Sequence, residues 1–336
     1  MSGGEVEPLD RNRLIRREVV LDGDYRVGVA IGGGGRRPPV VLVHGFSAEG
    51  FLYAQTLSRL VRLGFKVIAI DVAGHGATPG LTSGGRDLPS YTWLVARVLD
   101  KLGVRRAVLA GHSMGGRIVA QLAAAEPGRA LAVVLIDAAV GDAWDRLMRV
   151  SRLAPPVLVG LGAALFLDGL STLLWVRNPG QAAKLARLAA PTLRGNARHP
   201  MRLVDPAVAM LRSPGSRRML ETLAAEGVPV VVIHGDRDLA VPYRTARDAA
   251  RSARATLVTI HGGTHSWVLK DPETLPAVIA ELLDGPLGGI PVKAPAAQPS
   301  RRPRYRWSVQ EPAAEGPVTT GGAAASSDVG ESAGSL

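Results

Sequence analysis

The 336-residue chain contains no cysteine and few aromatic residues. The absence of cysteine excludes disulfide bonds, a thiol nucleophile and a thiolate metal site, and it leaves the redox compartment open. Aromatic residues make up only 4% of the chain, too few to offer stacking platforms for nucleic-acid bases. The sequence also shows no P-loop, no internal repeat and no cluster of metal ligands, so we expect neither a cofactor nor a metal.

The charge of the chain is mainly of one sign, with 40 basic and 29 acidic side chains and a net charge of +11. Such a balance can indicate nucleic acid or an anionic membrane as partner. The basic residues are mostly arginine and are spread along the whole chain, so we expect no nucleic acid. Weak contact with an anionic membrane surface stays open. The N-terminus lacks the apolar stretch of a secretory signal, so we expect a cytoplasmic protein, either free or peripheral to a membrane.

Short apolar runs alternate with helical stretches through most of the chain. The runs that predict strands are residues 17–21, 25–31, 39–44, 66–70, 106–110, 132–136, 229–233 and 256–260. The stretches that predict helices between and after them include 51–63, 90–102, 117–125, 243–252 and 272–283. This alternation predicts an α/β fold with a mostly parallel, eight-stranded sheet that is flanked by helices on both faces.

The alternation stops between Ala138 and Gly227, where about 85 residues of helix-forming sequence intervene, far more than an ordinary loop contains. We expect a helical cap inserted after the sixth strand. The domain prediction is therefore a core at 1–140 and 226–285 and a cap at 141–225. Residues 286–336 are rich in Pro, Ala, Gly and Ser, which predicts a disordered tail.

Residues 153–176 of this cap are apolar enough to raise the question of a membrane span, which needs about 20 apolar residues. Pro155, Pro156 and Asp168 interrupt the segment. Cap helices that are buried or face a pocket explain the apolar composition of the segment better than a membrane span does. Contact with a lipid interface is the alternative.

The pentapeptide at 111–115, Gly-His-Ser-Met-Gly, lies between an apolar run and a helical stretch. A G-x-S-x-G pattern in this context predicts a tight strand-to-helix turn that exposes the serine hydroxyl. Serine is a poor nucleophile at neutral pH, so it needs a general base, an acid that orients the base, and donors for an oxyanion. After Ser113 the chain offers Asp236 and Asp238 behind one apolar run, and His261 and His265 behind the last.

These motifs resemble the α/β-hydrolase superfamily over roughly residues 17–285, in its serine-nucleophile, capped, esterase- or lipase-like form. The resemblance implies that Asp238 is the acid, since residues 235–238 match the family's G-x-x-D pattern, with Asp236 and Asp137 as weaker alternatives. It implies that His265 is the base, because His261 lies too near the strand end.

The same resemblance implies an oxyanion hole made by the backbone amides of Phe46 and Met114, with Phe46 in an H-G-x loop that His44 braces. It implies hydrolysis of a carboxylic ester with an apolar or lipid-like acyl group. A C–C bond hydrolase or other acyl-transfer enzyme, and a non-catalytic ligand-binding protein, are the alternatives. Four apolar cap residues are candidates for contact with the substrate: Trp144, Met148, Phe166 and Trp175. The oligomeric state stays open.

Overall fold

The computed structural model of the protein describes residues 14–34, 37–81, 85–174, 179–290 and 302–312. Its strands are β1 Ile15–Val20, β2 Arg26–Gly32, β3 Arg37–Val43, β4 Phe65–Ile70, β5 Ala107–His112, β6 Ala130–Ile136, β7 Val230–Gly235, β8 Thr256–Ile260 and β9 Trp307–Gln310. Its α-helices are α1 Ala54–Arg62, α2 Leu88–Lys101, α3 Met114–Ala125, α4 Asp142–Leu153, α5 Pro155–Leu174, α6 Pro179–Arg198, α7 Val204–Arg212, α8 Arg217–Ala225, α9 Arg244–Ala253, α10 Trp267–Lys270 and α11 Thr274–Leu283.

The strands form one sheet in the order β1-β2-β4-β3-β5-β6-β7-β8-β9. Strands β3 to β8 are parallel, whereas β1, β2 and β9 pair with their neighbours in antiparallel fashion. The prediction of a mostly parallel sheet flanked by helices is therefore confirmed, but the sheet is mixed and the described residues give it nine strands instead of eight. The carboxyl ends of the parallel strands meet at one edge, where this class of fold places its ligands.

Two hydrophobic cores cover the two faces of the sheet. Along β5, Leu109 packs into one core while Val108 and Ala110 pack into the other, as the two-residue period of a strand requires. Helices α2, α3, α8 and α9 contribute to the first core, and α1, α10 and α11 to the second. Because both faces are covered, the central strands are apolar throughout and do not alternate with polar residues.

The prediction of a disordered tail is wrong for residues 286–290, where Leu287 and Ile290 are buried in the second core, and for residues 302–312. Strand β9 pairs with β8, and the Trp307 indole donates a hydrogen bond of 2.8 Å to Glu281. The pairing satisfies the backbone groups along the edge of β8, which would otherwise be exposed. A four-residue run among arginines and prolines is too short to stand out as a strand in the sequence. The rest of the predicted tail beyond residue 290 lies outside the described residues.

The segment between β6 and β7, residues 141–225, is called the helical insertion below. Its described residues form α4 to α8 and contain no strand. Helix α8 belongs to the predicted cap but packs against α3 and α9 of the predicted core domain. The border between core and cap therefore stays a prediction. None of the described helices is long and apolar enough to cross a membrane.

Candidate active site

Ser113 lies in the sharp turn between β5 and α3. Its backbone has φ +54°, a left-handed conformation that is uncommon outside glycine and costs free energy. Three backbone hydrogen bonds hold the turn: the Ser113 amide donates to Ile136 at 2.9 Å, and the Ser113 carbonyl accepts from Ala139 at 3.0 Å and Gly116 at 3.1 Å. The strained serine is therefore fixed by its neighbours on β6 and α3.

The two glycines of the turn allow close packing of β5, α3 and the end of β3. A β-carbon on Gly111 would lie 2.3 Å from the Gly115 carbonyl oxygen, and one on Gly115 would lie 2.1 Å from the Val43 carbonyl oxygen. Both distances are far below van der Waals contact, and backbone atoms cannot move aside. The sequence pattern therefore reflects a steric requirement of this turn.

Asp238 and His265 meet where two neighbouring strands end. Asp238 follows β7 and His265 follows β8, and His265 Nδ1 donates a hydrogen bond of 2.7 Å to Asp238 Oδ2. The other carboxylate oxygen of Asp238 accepts from the amides of Ala240 and Val241, each at 2.8 Å. Both oxygens of the Asp238 carboxylate are thus met by donors, although Asp238 and His265 are both buried.

The two side chains stabilise each other's charged form. Burial by itself disfavours charge on His265, but the Asp238 carboxylate and its hydrogen bond raise the pKa of His265 to about 9. For Asp238, burial acts to raise the pKa, and the charge of His265 with the hydrogen bonds outweighs it, so the pKa lies below its usual value. The pair therefore consists of a carboxylate and a strongly basic imidazole.

Within the described residues, Ser113 Oγ makes no hydrogen bond to His265, so the structure brings the serine and the base into one site without joining them. Catalytic hydrogen bonds are often long in the free protein and shorten in complexes with substrate. The chain neighbour of Ser113 provides the direct connection, because His112 Nε2 contacts the backbone carbonyl of His265 at 2.9 Å.

His112 is part of a buried hydrogen-bond chain. Burial lowers the pKa of His112 to about 3, so its ring is neutral and donates from one nitrogen only. Since Nε2 faces the His265 carbonyl, Nδ1 is the acceptor, and it receives the hydroxyl of Tyr53 at 2.9 Å. The chain therefore runs from Tyr53 through His112 to the backbone of His265. The sequence pattern pointed to His112 as a lining or supporting residue, but nothing in it singled out Tyr53.

The two alternative acids have other partners. Asp236 is exposed and accepts from the Gly262 amide at 2.7 Å, with His261 Nδ1 at 3.3 Å. Asp137 is fully buried and accepts from the Gly235 amide at 2.8 Å. Burial, and then the nearby charge of Asp238, hold the pKa of Asp137 well above its usual range. Neither carboxylate makes a hydrogen bond to His265.

Asp137, His234 and Asp238 form a buried group whose potential metal-ligand atoms lie within 4.8 Å of one another. Hydrogen bonds occupy most of these atoms: His234 Nε2 donates to the Val241 carbonyl at 2.8 Å, and Asp238 is fully engaged as described. The donor set therefore fits a hydrogen-bond network that supports the acid better than it fits an ion.

The two predicted oxyanion donors flank the serine turn. Met114 begins α3, and Gly45, which precedes Phe46, lies so close that a β-carbon there would be 3.1 Å from the Ser113 β-carbon. In the part of the chain that the structure describes, neither the Phe46 amide nor the Met114 amide donates a hydrogen bond to another protein group. Two unused amides beside a serine are suited to bind a developing negative charge.

Buried, neutral histidines hold the loop of Phe46. His44 Nδ1 donates to the Gly45 carbonyl at 2.8 Å and its Nε2 accepts from the Val72 amide at 3.1 Å. His75 Nε2 accepts from the Ser47 amide at 3.1 Å. Burial lowers the pKa of His44 to about 4, so the ring can accept as well as donate. The loop is thus braced as the sequence predicts.

Among the four residues predicted to contact the substrate, the three that the structure describes are not gathered in one place. Trp144 and Met148 are buried in the first core, which α2, α3, α8 and α9 share. Phe166 is 70% exposed, so it does not line an enclosed pocket. Trp175 lies outside the described residues. Substrate contact by these side chains stays a prediction.

A buried ion pair that the sequence did not reveal joins the helical insertion to the loop of His265. Lys270 Nζ lies 3.3 Å from Asp168 Oδ1 and donates to Ser171 at 2.9 Å and to Thr264 at 2.6 Å. Burial lowers the pKa of Lys270 and Asp168 opposes that effect. The contact fixes α5 next to the residue that precedes His265. Because the partners are 102 positions apart, no local pattern could identify them.

Comparison with known proteins agrees with this geometry. The chain matches the family model of the alpha/beta hydrolase fold over residues 38–272. It is 34% identical over 273 residues to a protein of Mycobacterium phage D29 named as a non-heme haloperoxidase, covering 79% of this chain and 94% of that protein. It is 30% identical over 245 residues to the monoacylglycerol lipase of Mycolicibacterium smegmatis, covering 70% and 84% of the two chains.

Among solved structures, a membrane phospholipase A described as a bacterial virulence factor is similar with a TM-score of 0.67. Its sequence identity of 24%, over 82% of this chain and 87% of that chain, shows a common fold alone. The family match extends over most of the chain and includes the serine turn and both strand-end loops. The chain therefore belongs to the alpha/beta hydrolase fold family, and it is a hydrolase of that fold.

Proposed function

We propose that the protein is a serine hydrolase that cleaves a carboxylic ester with an apolar or lipid-like acyl group. Ser113 is the nucleophile, His265 the general base and Asp238 the acid that orients it. The observation that carries the proposal is the 2.7 Å hydrogen bond between Asp238 and His265 beside a serine held at φ +54°. Buried groups with shifted pKa values and residues with strained backbone both cluster at functional sites.

The reaction follows from these positions. Ser113 Oγ attacks the ester carbonyl carbon while His265 Nε2 takes the hydroxyl proton, and Asp238 stabilises the resulting imidazolium through Nδ1. The C–O bond to the alcohol breaks, and the alcohol leaves with the proton from His265. Water then gives a proton to His265 and attacks the acyl carbon. The bond between that carbon and Ser113 Oγ breaks, Oγ takes the proton back from His265, and the carboxylic acid is released.

The oxyanion that forms in each step lies between the amides of Phe46 and Met114. Donors that are fixed in advance need no reorganisation during the reaction, and loss of one such donor in comparable enzymes costs about 2.7 to 4 kcal/mol of barrier stabilisation. Within the described residues, no other protein group accepts a hydrogen bond from these two amides, and His44 and His75 brace the loop of Phe46. These features support their role as the oxyanion hole.

A series of p-nitrophenyl esters of increasing acyl length tests the substrate class. We expect turnover, with kcat/KM rising from acetyl to longer acyl chains because each buried CH₂ group contributes about 0.8 kcal/mol. A monoacylglycerol is included because one relative is a monoacylglycerol lipase. Reaction with a fluorophosphonate without ester turnover would favour C–C bond or other acyl-transfer chemistry. Neither reaction would favour the non-catalytic, ligand-binding alternative.

The phage relative gives a reason to test a second acceptor. If hydrogen peroxide attacks the same acyl-enzyme in place of water, the Ser113 ester breaks and a peroxy acid is released. The ester assay is therefore repeated with peroxide, and peroxy acid is measured directly. The same Ser113, His265 and Asp238 serve both reactions, so this activity adds to the proposed ester cleavage and does not replace it.

The pH profile of kcat/KM tests the base. A general base works in its neutral form, and the pKa of His265 is about 9 in the free protein. We therefore expect kcat/KM to rise with pH through a limb well above 6.5, the ordinary pKa of histidine. In Asp238→Asn the largest interaction that raises the pKa of His265 is lost, so the limb moves to lower pH. A limb at the same pH in both proteins would contradict the assignment.

The same shift predicts how stability depends on pH. Because folding raises the pKa of His265, its pairing with Asp238 stabilises the protein fully below pH 6.5, and the contribution is lost as pH rises through about 9.

Tyr53→Phe tests the buried chain behind His265. The change leaves His112 Nδ1 without its donor, which we expect to lower kcat about tenfold with little change in KM, since an unpaired buried group costs about 1 to 3 kcal/mol. Tyr91→Phe is the matched control, because the buried Tyr91 hydroxyl donates to the Gly85 carbonyl at 2.9 Å, away from the site. Equal effects of the two changes on kcat would show that Tyr53 has only a structural role.

A further inference from the structure

The outer surface of α5 is apolar without interruption. Between residues 156 and 172, every residue that the structure describes as exposed is apolar or glycine. The larger ones recur every three or four positions and so form one stripe along the helix. These residues are called the apolar face: Pro156, Val159, Ala163, Phe166, Leu167 and Leu170. A helix at the surface of a globular protein normally presents charged and polar residues to water.

The polar residues of α5 point the other way. Asp168 is the single charged residue between positions 156 and 172, and its side chain is only 10% exposed because it is bound to Lys270. Ser171 also binds Lys270, and Thr172 is buried. The helix is therefore inverted, with its polar side turned into the protein and its apolar side turned outward. The buried Asp168–Lys270 ion pair holds α5 in this orientation, with its apolar side facing outward.

The apolar surface continues onto neighbouring helices. Val150 and Leu153, at the end of α4, are 46% and 88% exposed, and Leu193 of α6 is 58% exposed. Helix α4 leads directly into α5 in the chain, and α6 packs against α5. Contiguous exposed apolar surface of this kind marks a site of contact with a protein or a membrane.

A basic cleft of about 470 Å³ shares α4 with this surface. Arg146, Arg149 and Arg212 line it and form no ion pair within the described part of the chain. The two carboxylates that also line the cleft are engaged, Asp142 by Arg217 and Asp145 by Arg117. The helical insertion as a whole carries twelve basic and five acidic side chains.

We propose that the apolar face of α5 and the basic cleft beside it dock the protein onto the surface of an anionic lipid bilayer. The apolar side chains enter the boundary between headgroups and acyl chains, while the arginines bind phosphate-bearing headgroups. Charge complementarity favours this occupant over a second copy of the chain, because a symmetric dimer through the same surface would bring two basic clefts together. The docking is independent of the proposed chemistry.

Vesicle co-sedimentation of the full chain tests the proposal. Vesicles of phosphatidylcholine are compared with vesicles that contain about one third phosphatidylglycerol, at low and high salt. We expect binding to the anionic vesicles that weakens as salt rises, because headgroup charges are screened. Ser113→Ala is expected to bind as the unchanged protein does, so failure of the proposed ester chemistry and failure of docking are separate results.

Two pairs of substitutions locate the surface. Phe166→Ser with Leu167→Ser is expected to lower the partition coefficient by about tenfold or more, because two large side chains no longer enter the bilayer. The matched control is Trp93→Ser, an aromatic residue that is 59% exposed on α2 of the core. Arg149→Glu with Arg212→Glu is expected to lower binding to anionic vesicles by about tenfold or more. The control is Arg105→Glu with Arg106→Glu, two exposed residues just before β5 and outside the helical insertion.

All seven positions are exposed, so the variants are expected to keep the thermal midpoint. Equal binding to neutral and anionic vesicles, or equal effects of test and control pairs, would overturn the proposal. A dimer in solution that Phe166→Ser with Leu167→Ser converts to a monomer would also overturn it, since a second copy would then occupy the surface.

Discussion

Replacement of Ser113 by alanine is expected to lower kcat/KM for the best p-nitrophenyl ester by roughly 10⁴- to 10⁶-fold. The reason is that no other group in the turn can form the acyl-enzyme. The oxyanion amides of Phe46 and Met114 still bind the carbonyl oxygen, so a slow residual hydrolysis above the rate in water is expected. Steady-state kinetics with a protein of unchanged thermal midpoint measure the effect.

Ser58→Ala is the matched control for this prediction. Ser58 is a partly buried serine whose hydroxyl donates to the Ala54 carbonyl at 2.7 Å within α1. We expect less than about a twofold change in kcat/KM, since the lost bond lies within an outer helix. If Ser113→Ala kept activity comparable to that of Ser58→Ala, another residue would be the nucleophile.

Asp238→Asn is expected to lower kcat roughly 10⁴-fold. An amide has nearly the shape of the carboxylate, but it cannot stabilise the imidazolium that forms at His265. The amide nitrogen can also face Nδ1 and favour the tautomer in which Nε2 carries the proton and cannot accept one from Ser113. The kcat of the variant is measured at saturating ester and compared with that of the unchanged protein.

Two other Asp→Asn changes are controls for the acid. Asp236→Asn affects an exposed residue that binds the Gly262 amide, and we expect at most a twofold to threefold change in kcat, roughly the effect of losing one loop hydrogen bond. In Asp137→Asn the carboxyl that is replaced makes no hydrogen bond to His265, and its raised pKa already disfavours its charged form, so kcat should fall by less than about tenfold. A larger loss in Asp137→Asn than in Asp238→Asn would reassign the acid to Asp137.

Much of the fold could be predicted because its signals are local. The central strands are short apolar runs, buried on both faces, and the glycine-rich and strand-end motifs lie next to them. The serine turn is recognisable because sterics demand glycine at 111 and 115. The meeting of Asp238 and His265 follows from chain order, since each comes directly after a parallel strand and these strands are neighbours in the sheet.

The features that sequence reasoning missed are those that depend on distant partners. Strand β9 is specified by the open edge of β8 and by Glu281, which receives the Trp307 indole. Tyr53 is tied to His112 across 59 positions, and Lys270 to Asp168 across 102. In each case the local sequence is compatible with several arrangements, and tertiary contact decides among them.

The helical insertion shows a different limit. An apolar stretch such as 153–176 has the same composition whether it packs inward or faces a bilayer, so hydropathy alone could not assign Phe166 to a pocket or to the surface. The inward contact of Asp168 with Lys270 decides the orientation of α5. The position of a charged residue within an apolar helix therefore indicates which side of the helix faces the protein better than the apolar residues do.

Covalent labelling with a fluorophosphonate, followed by peptide mass spectrometry, identifies the nucleophilic serine directly. The phosphonyl group bonds to the hydroxyl oxygen of an activated serine and fluoride leaves, so the reaction reports the nucleophile without knowledge of the substrate. We predict one label per chain on the peptide that contains Ser113, with labelling abolished in Ser113→Ala and strongly slowed in His265→Ala. A label on another serine, or unchanged labelling in Ser113→Ala, would contradict the account.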